Sequence, residues 1–496
     1  MSGRCVIKCA VLRGVEALPV DVEVSVGNGI PGFCVVGMAD AAVQESRERV
    51  KAAIKAAGFS MPPDRVVVNL APSSVKKTGS GFDLAIAVGI LVSTDQIPPA
   101  VTRGSLFVGE LSLNGEVRSI AGLLAYALCA RSEGLRLVCS SEGRGLVPIE
   151  GLEVLGMGSL ASMRTGCFED VVPMSGPGAF EALDFADIAG NDMAKRALQI
   201  AAAGRHGVLM MGPPGSGKTM LASRIPSILP PLTEDEKLHV ALIHSIAGED
   251  VRPILAGIRP FRAPHHSATA AGLIGGGSPI RPGEISLAHN GVLFLDELAE
   301  VRPSVLQQLR QPLEDGRVCL TRADGNVTFP ADFMLVAASN PCPCGYFGDP
   351  ERQCTCTVAA IRSYQNRIGG PLMDRIDIHI DVRRLPPSEI VFAGHGTSSK
   401  ELREDVLKAR EYSAWRRARD EDLGLEADDV VSSCRLDEKD KEYFVDVARA
   451  HSMSGRGIVR ALSIARTIAD MCEKERVGAD ELYEALEFRL REGVGR

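Results

Sequence analysis

The sequence predicts an α/β protein: a core built on a parallel sheet, a second α/β unit ahead of it and a helical region behind it. Three observations carry this prediction. The octapeptide Gly212-Pro213-Pro214-Gly215-Ser216-Gly217-Lys218-Thr219 stands directly behind the apolar run Val208-Leu209-Met210-Met211, the context of a strand entering a Gly-rich turn that opens a helix. Two further apolar runs, Val292-Leu293-Phe294-Leu295 and Phe333-Met334-Leu335-Val336-Ala337-Ala338, end in Asp296-Glu297 and Ser339-Asn340. Unbroken apolar runs suit parallel strands covered on both faces. From about residue 400 the chain becomes charged with a helical period, Ile458, Leu462, Ala465 and Ala469 on one face and Leu482, Leu486 and Leu490 on another.

Composition narrows the classes. The 496 residues exceed what one hydrophobic core organises, so several domains are expected. The start, Met-Ser-Gly-Arg-Cys-Val-Ile-Lys-Cys, has no long apolar core and does not read as a signal peptide. The most apolar stretch, 82–92, carries Asp83 and reads as a core helix rather than a membrane span. Thirteen cysteines in such a chain indicate a reducing compartment, and a cytoplasmic location with no membrane partner is expected. The formal charge of −8 offers no global attraction to nucleic acid, so any DNA contact must come from a local basic surface.

In chain order, residues 1–172 read as one α/β unit. Val22 to Val26 alternates as a strand, Gly29-Ile30-Pro31-Gly32 turns, and 41–57 is helical with Val43, Val50, Ile54 and Ala57 on one face and Gly58 as its stop. Residues 65–70 are strand-like, and 111–118 read as a hairpin through a two-residue Asn114-Gly115 turn. An Ala/Leu-rich helix over 122–131 leads into a strand at 135–138. The Pro/Gly-rich stretch 173–182 reads as a linker, 183–386 as the nucleotide-binding core and 387–496 as a helical lid.

The octapeptide implies a nucleoside triphosphate site. Its glycines let the loop between Gly212 and Gly217 close around phosphate oxygens at a helix N-terminus, through the backbone N–H groups that remain beside Pro213 and Pro214. Lys218 would reach the β- and γ-phosphates, and the Thr219 hydroxyl would hold Mg²⁺. Asp296 would bind the same ion through water, while Glu297 would polarise the attacking water. Asn340 suits positioning of that water against the γ-phosphate, although a plain Asn turn before Pro341 gives the same pattern. Arg375, in Leu372-Met373-Asp374-Arg375-Ile376-Asp377, would stabilise phosphoryl charge if supplied from a neighbouring subunit; a salt bridge to Asp374 or Asp377 is the structural alternative. Arg456, in Ser454-Gly455-Arg456, and Arg460 would reach the same phosphate from the lid.

This order of motifs resembles the AAA+ ATPases. Phe261-Arg262-Ala263-Pro264-His265-His266-Ser267, residues 283–291 (Gly-Glu-Ile-Ser-Leu-Ala-His-Asn-Gly) and residues 309–316 (Leu-Arg-Gln-Pro-Leu-Glu-Asp-Gly) narrow it to the magnesium-chelatase-like branch. Val68-Asn69-Leu70-Ala71-Pro72-Ser73 and residues 77–84 (Lys-Thr-Gly-Ser-Gly-Phe-Asp-Leu) are similar to the YifB/ComM group within that branch. The resemblance covers nearly the whole chain. It implies ATP and Mg²⁺ as cofactors, a homo-oligomeric ring, usually a hexamer, with Arg375 acting in trans, and branch migration of DNA during recombination in natural transformation. It also implies an N-terminal fold like ribosomal protein S5 and the proteolytic domain of Lon. By motif matching, the Lon serine and lysine positions fall near Gly81 and Leu124. Ser80 is adjacent but 120–130 contains no lysine, so the expectation is a binding or assembly module without a peptidase dyad.

Related helicases carry pore inserts at two places matched here, the hairpin-like 317–330 and the Gly/His/Arg-rich 259–281. Arg262, His265, His266, Arg317 and Arg322 are the candidate contacts to the backbone of branched or single-stranded DNA, with packing between subunits as the alternative for each. Cys342, Cys344, Cys354 and Cys356 form C-x-C…C-x-C in a Pro/Gly-rich loop. They suit a structural Zn²⁺ site, with free or redox-active thiols as the other reading. Two alternatives to DNA remodelling stand: a motor for metal insertion, as in magnesium chelatase, and a protein-remodelling machine.

Overall fold

The computed structural model describes residues 3–171, 183–277, 280–322, 325–391, 396–422 and 429–489. The expected linker at 173–182 and Leu490 lie outside them.

The N-terminal unit is built on an eight-stranded mixed sheet in the order Glu169–Asp170, Val154–Met157, Arg136–Ser140, Ser105–Phe107, Gly3–Arg13, Glu16–Gly27, Arg65–Ala71, Gly32–Val36. Strand Gly3–Arg13 shows why both faces are covered. Ile7, Cys9 and Val11 join the core under helices Ala41–Ala56 and Asp83–Ser93, whereas Ala10 and Leu12 face helix Leu123–Ser132. Every residue of Asp83–Ser93 is buried, as a core helix requires. The expected two-residue turn at Asn114-Gly115 is a three-residue loop instead. The Ser112 amide donates to the Glu116 carbonyl, Gly115 takes a φ of +86°, and the only ladder pairs are Glu110–Arg118 and Leu111–Val117. A glycine in that left-handed conformation after a turn is what three-residue hairpin loops use.

The central sheet has five parallel strands in the order Phe261–Arg262, Val292–Leu295, Met334–Ser339, Val208–Met211, Ile378–Asp381. Its three inner strands are buried on both faces, with Val208 and Met210 entering one core and Leu209 and Met211 the other. Placing Val208–Met211 between Met334–Ser339 and Ile378–Asp381 brings the Gly-rich loop beside Asn340. Helices Ser399–Asp422, Glu438–Ala450, Gly455–Met471 and Ala479–Glu487 follow, and Leu462, Ala465 and Ala469 bury their shared face against helix Asp192–Gly204 of the core.

A separate contact joins the N-terminal unit to the core. Leu124 and Ala125 pack with Val240, Ala241 and Ile246 of helix Glu234–Ala247, and the Gly122 amide donates to the Ser245 carbonyl at 2.8 Å. That helix starts with a full capping box, in which Thr233 and Glu236 satisfy each other's backbone amides.

Candidate nucleotide site

The Gly-rich loop runs from the end of strand Val208–Met211 to helix Lys218–Ile228. Gly215 and Gly217 take φ of +78° and +92°, which L side chains rarely adopt. A Cβ on Gly212 would lie 2.2 Å from the Val382 carbonyl oxygen, so the close approach to the neighbouring strand requires glycine there. The Lys218 ammonium donates to the carbonyls of Gly212 at 2.7 Å and Pro213 at 2.9 Å, with Ser216 Oγ and Asn340 Oδ1 each at 3.5 Å. Burial pushes its pKa below the ordinary lysine value, and Asp296 and Glu297 oppose that shift.

Thr219 Oγ1 donates to Asp296 Oδ2 at 2.9 Å. One hydroxyl and one carboxylate at that spacing fit Mg²⁺, which protein sites hold with one or two oxygen ligands beside phosphate oxygens. Glu297 sits at a φ of +50°, with its amide turned back onto Asp296 Oδ1 at 2.8 Å. This kink at the strand end aims two adjacent carboxylates differently. Asp296 points to Thr219, while Glu297 Oε2 lies 3.1 Å from His266 Nδ1.

The structure thus brings Gly212 to Thr219, Asp296, Glu297 and Asn340 together. Arg375 and Arg456 meet elsewhere, on one carboxylate. Glu314 Oε1 accepts from Arg375 Nη2 at 2.5 Å and lies 3.3 Å from Arg456 Nη2. Arg375 also donates to the Pro371 carbonyl at 2.6 Å. Neither Asp374 nor Asp377 pairs with it; Asp377 is held by Arg460 at 2.9 Å and by the Gly207 amide, one residue before the nucleotide-binding strand. Arg262 is partly exposed and engaged by Glu284 and Glu249 at 2.7–3.0 Å, so a phosphate would compete with two carboxylates for its guanidinium. The His265 and His266 rings lie 4.0 Å apart and tilted by 34°, and His265 bonds Ser267. Arg317 is exposed on the hairpin Arg317–Arg322/Gly325–Pro330, whose other face buries Val318, Val327 and Phe329. The side chain of Arg322 and the turn at 323–324 lie outside the described residues.

The four cysteines converge. Their Sγ atoms lie within 4.8 Å of one another, with Cys342, Cys344 and Cys354 separated by 3.3–3.7 Å. Four thiolates around one Zn²⁺ at ~2.3 Å would sit about 3.8 Å apart, so the set fits a tetrahedral ion. Backbone N–H groups of Tyr346 and Thr355 pull the Cys344 thiol down to about 5, whereas Cys354 is pushed up to about 12 and Cys356 above the ordinary thiol value, so without an ion the close thiols favour a first thiolate at Cys344. This loop touches the nucleotide loop, since a Cβ on Gly345 would lie 2.6 Å from Pro214 Cδ. In the N-terminal unit, Ser80 Oγ is bonded to Glu110, and Leu124 is buried at the contact with helix Glu234–Ala247.

Sequence reasoning missed the wall beside the glycine loop. A cavity of about 700 Å³ starts at Gly215, Ser216 and Gly217 and is closed by Ile188, Asn191 and Leu385. Its size and mixed lining suit the base and ribose of a nucleotide. The available signal was the short apolar segment 185–190 ahead of a helix, together with Leu385-Pro386-Pro387 after the last strand.

Comparison with known proteins agrees with this geometry. Residues 184–390 match the family described as magnesium chelatase, subunit ChlI; residues 396–489 match its C-terminal family, and 22–142 match the family described as subunit ChlI of Mg-chelatase. The chain is 39% identical to the competence protein ComM of Haemophilus influenzae, over 96% of this chain and 95% of that protein. It is 36% identical to the uncharacterized protein YifB of Escherichia coli (strain K12), over 96% and 95% of the two chains. The magnesium-chelatase 67 kDa subunit of Chlorobaculum parvum is 32% identical over 161 residues, 32% of this chain and 23% of that subunit. The cofactors that this family and the geometry imply are ATP and Mg²⁺, and the chain belongs to the magnesium-chelatase-like AAA+ ATPases, in the group of ComM and YifB.

Proposed function

We propose that the protein is a ring-forming ATPase, a hexamer in the cytoplasm, that couples ATP hydrolysis to the remodelling of branched DNA. In this reading Lys218 and the loop amides bind the phosphates, and Thr219 and Asp296 hold Mg²⁺. Glu297 takes the proton of the attacking water, Asn340 orients that water, and Arg375 and Arg456 stabilise the charge that develops on the transferred phosphoryl group. The bonds of Arg375 within its own chain go to Glu314 and Pro371, which supports action on a neighbour's nucleotide. Zn²⁺ on the four cysteines would order the loop against Pro214.

One observation carries the DNA part of the reading: His266, from the insert expected to meet DNA, contacts the catalytic carboxylate Glu297 at 3.1 Å. Occupation of that insert therefore has a direct route to the hydrolytic residue. A protein named for competence aligns over 96% of this chain, whereas the magnesium-chelatase 67 kDa subunit aligns over 32% of it, which supports this reading over metal insertion. The test is the ATPase rate of purified protein with and without a synthetic four-way junction, followed by strand products on a gel. Stimulation with ATP-dependent branch migration is expected. A rate indifferent to DNA would overturn the DNA substrate and redirect the search to protein or metal-insertion partners.

A further inference from the structure

The two core inserts and the N-terminal unit converge on one cavity. Its volume is about 460 Å³, and Gly277 and Arg281 from the first insert line it together with Val327 from the hairpin. The tip of the first N-terminal hairpin completes that side. Gly14, at a φ of +66°, is so close that a Cβ there would lie 3.1 Å from Val327 Cγ1, and Arg13 beside it faces the cavity. The opposite wall is the loop Ser74 to Gly81, carrying Lys76 and a run of small hydroxyl and glycine residues.

The chemistry of the lining is that of an anion site. Arg13, Lys76 and Arg281 supply three cations, against Glu110 as the sole carboxylate of the lining, and Glu110 is already bonded by Ser80. Among the described residues neither Arg13 nor Arg281 has a carboxylate partner. Ser119 Oγ borders the same space, is shielded from solvent and has no hydrogen-bond partner. Tyr126, Ile120 and Ile246 add an apolar floor. A donor-rich rim over an apolar floor, large enough for a nucleotide unit, suits a phosphodiester with its sugar against the floor. Nothing in it resembles base-edge readout, and a chain of net charge −8 needs such a local patch.

We propose that this cavity binds the backbone of single-stranded DNA, so that the N-terminal unit forms part of the DNA path through Arg13 and Lys76. The inference rests on the DNA reading above. Its test is fluorescence anisotropy of a fluorescein-labelled single-stranded oligonucleotide with the full-length protein across a salt series. Arg13→Glu combined with Arg281→Glu should weaken binding at least ~10-fold at about 0.1 M salt and reduce the slope of log affinity on log salt by about two. Arg13→Glu alone should weaken binding by a smaller factor and Arg13→Lys should retain it, with melting midpoints unchanged. A benzophenone amino acid at position 13 should crosslink to the oligonucleotide, which keeps the proposal falsifiable if a charge-reversed variant does not fold. Wild type that binds DNA while the Arg13 variants bind equally well, with the same salt slope, would overturn the proposal and leave the DNA reading intact. Release of the oligonucleotide by inorganic phosphate at matched ionic strength would overturn it in favour of a small-anion site. Wild type that binds no DNA would overturn the DNA reading itself.

Discussion

His266 Nδ1 lies 3.1 Å from Glu297 Oε2, and both side chains are partly open to solvent, at 38% and 48% exposure. A carboxylate that accepts this bond is turned away from a water molecule it would deprotonate. His266→Ala should therefore raise the DNA-independent ATPase by about tenfold, the rate equivalent of ~1.4 kcal/mol, near the low end for a hydrogen bond to a charged group and suited to a pair this open to solvent. The ratio of DNA-stimulated to basal turnover should fall toward one. A basal rate that drops while stimulation persists would show that His266 supports Glu297 instead of restraining it.

Arg375 is held by Glu314 and the Pro371 carbonyl of its own chain. Arg375→Ala should leave ATP binding intact and reduce kcat by about 10³-fold, the range for removing an arginine that stabilises phosphoryl charge. Mixing it with Glu297→Gln subunits should restore part of the rate, because some sites then combine an intact Glu297 with an intact Arg375 from the neighbour. No recovery in mixed rings of confirmed composition would place the arginine in the same subunit as its nucleotide.

The legible parts of this site are those that the chain writes contiguously. Gly212 to Thr219 is one turn of backbone, and Asp296, Glu297 and Asn340 each terminate an apolar strand, so local pattern sufficed to bring them to one sheet end. Partners distant in sequence were not legible. Asp374 and Asp377 are the carboxylates nearest Arg375 in sequence, yet its partner is Glu314, 61 positions away. Arg262 looks like a phosphate ligand by composition, and only the fold shows Glu249 and Glu284 around it. The base-side cavity joins segments about 200 residues apart, and the contact of Leu124 with Ala241 depends on how two units dock. The hairpin at 111–118 closes through three residues because Asn-Gly serves two-residue and longer turns alike.

The cysteine loop gives a metal-removal prediction. Purified protein should contain about one zinc per chain, since four thiolates complete a tetrahedral structural site. Cys342→Ser with Cys354→Ser should lose the metal and lower the melting midpoint. Because Gly345 packs against Pro214, ATP affinity should weaken several-fold as well, read by titration with a fluorescent ATP analogue. Metal-free protein of wild-type stability and affinity would sink the zinc assignment.

His289 gives the fold a pH dependence that is independent of the nucleotide. It is 8% exposed, burial pushes its pKa down to about 4, and its Nδ1 accepts the Asp332 amide at 3.1 Å, a bond that protonation destroys. An unfolded histidine takes up its proton near pH 6.5, so between about 6.5 and 4 the unfolded state binds the extra proton and stability falls as pH falls. The contribution is fully present above pH 6.5 and its loss approaches roughly 3 kcal/mol by pH 4. His289→Gln keeps an acceptor for the Asp332 amide and removes the titration. The difference in melting midpoint between wild type and this variant should shift in favour of the variant as pH is lowered from 7 to 4.5. Parallel curves for the two proteins over that interval would show that His289 is protonated in the folded state at the same pH as in the unfolded chain.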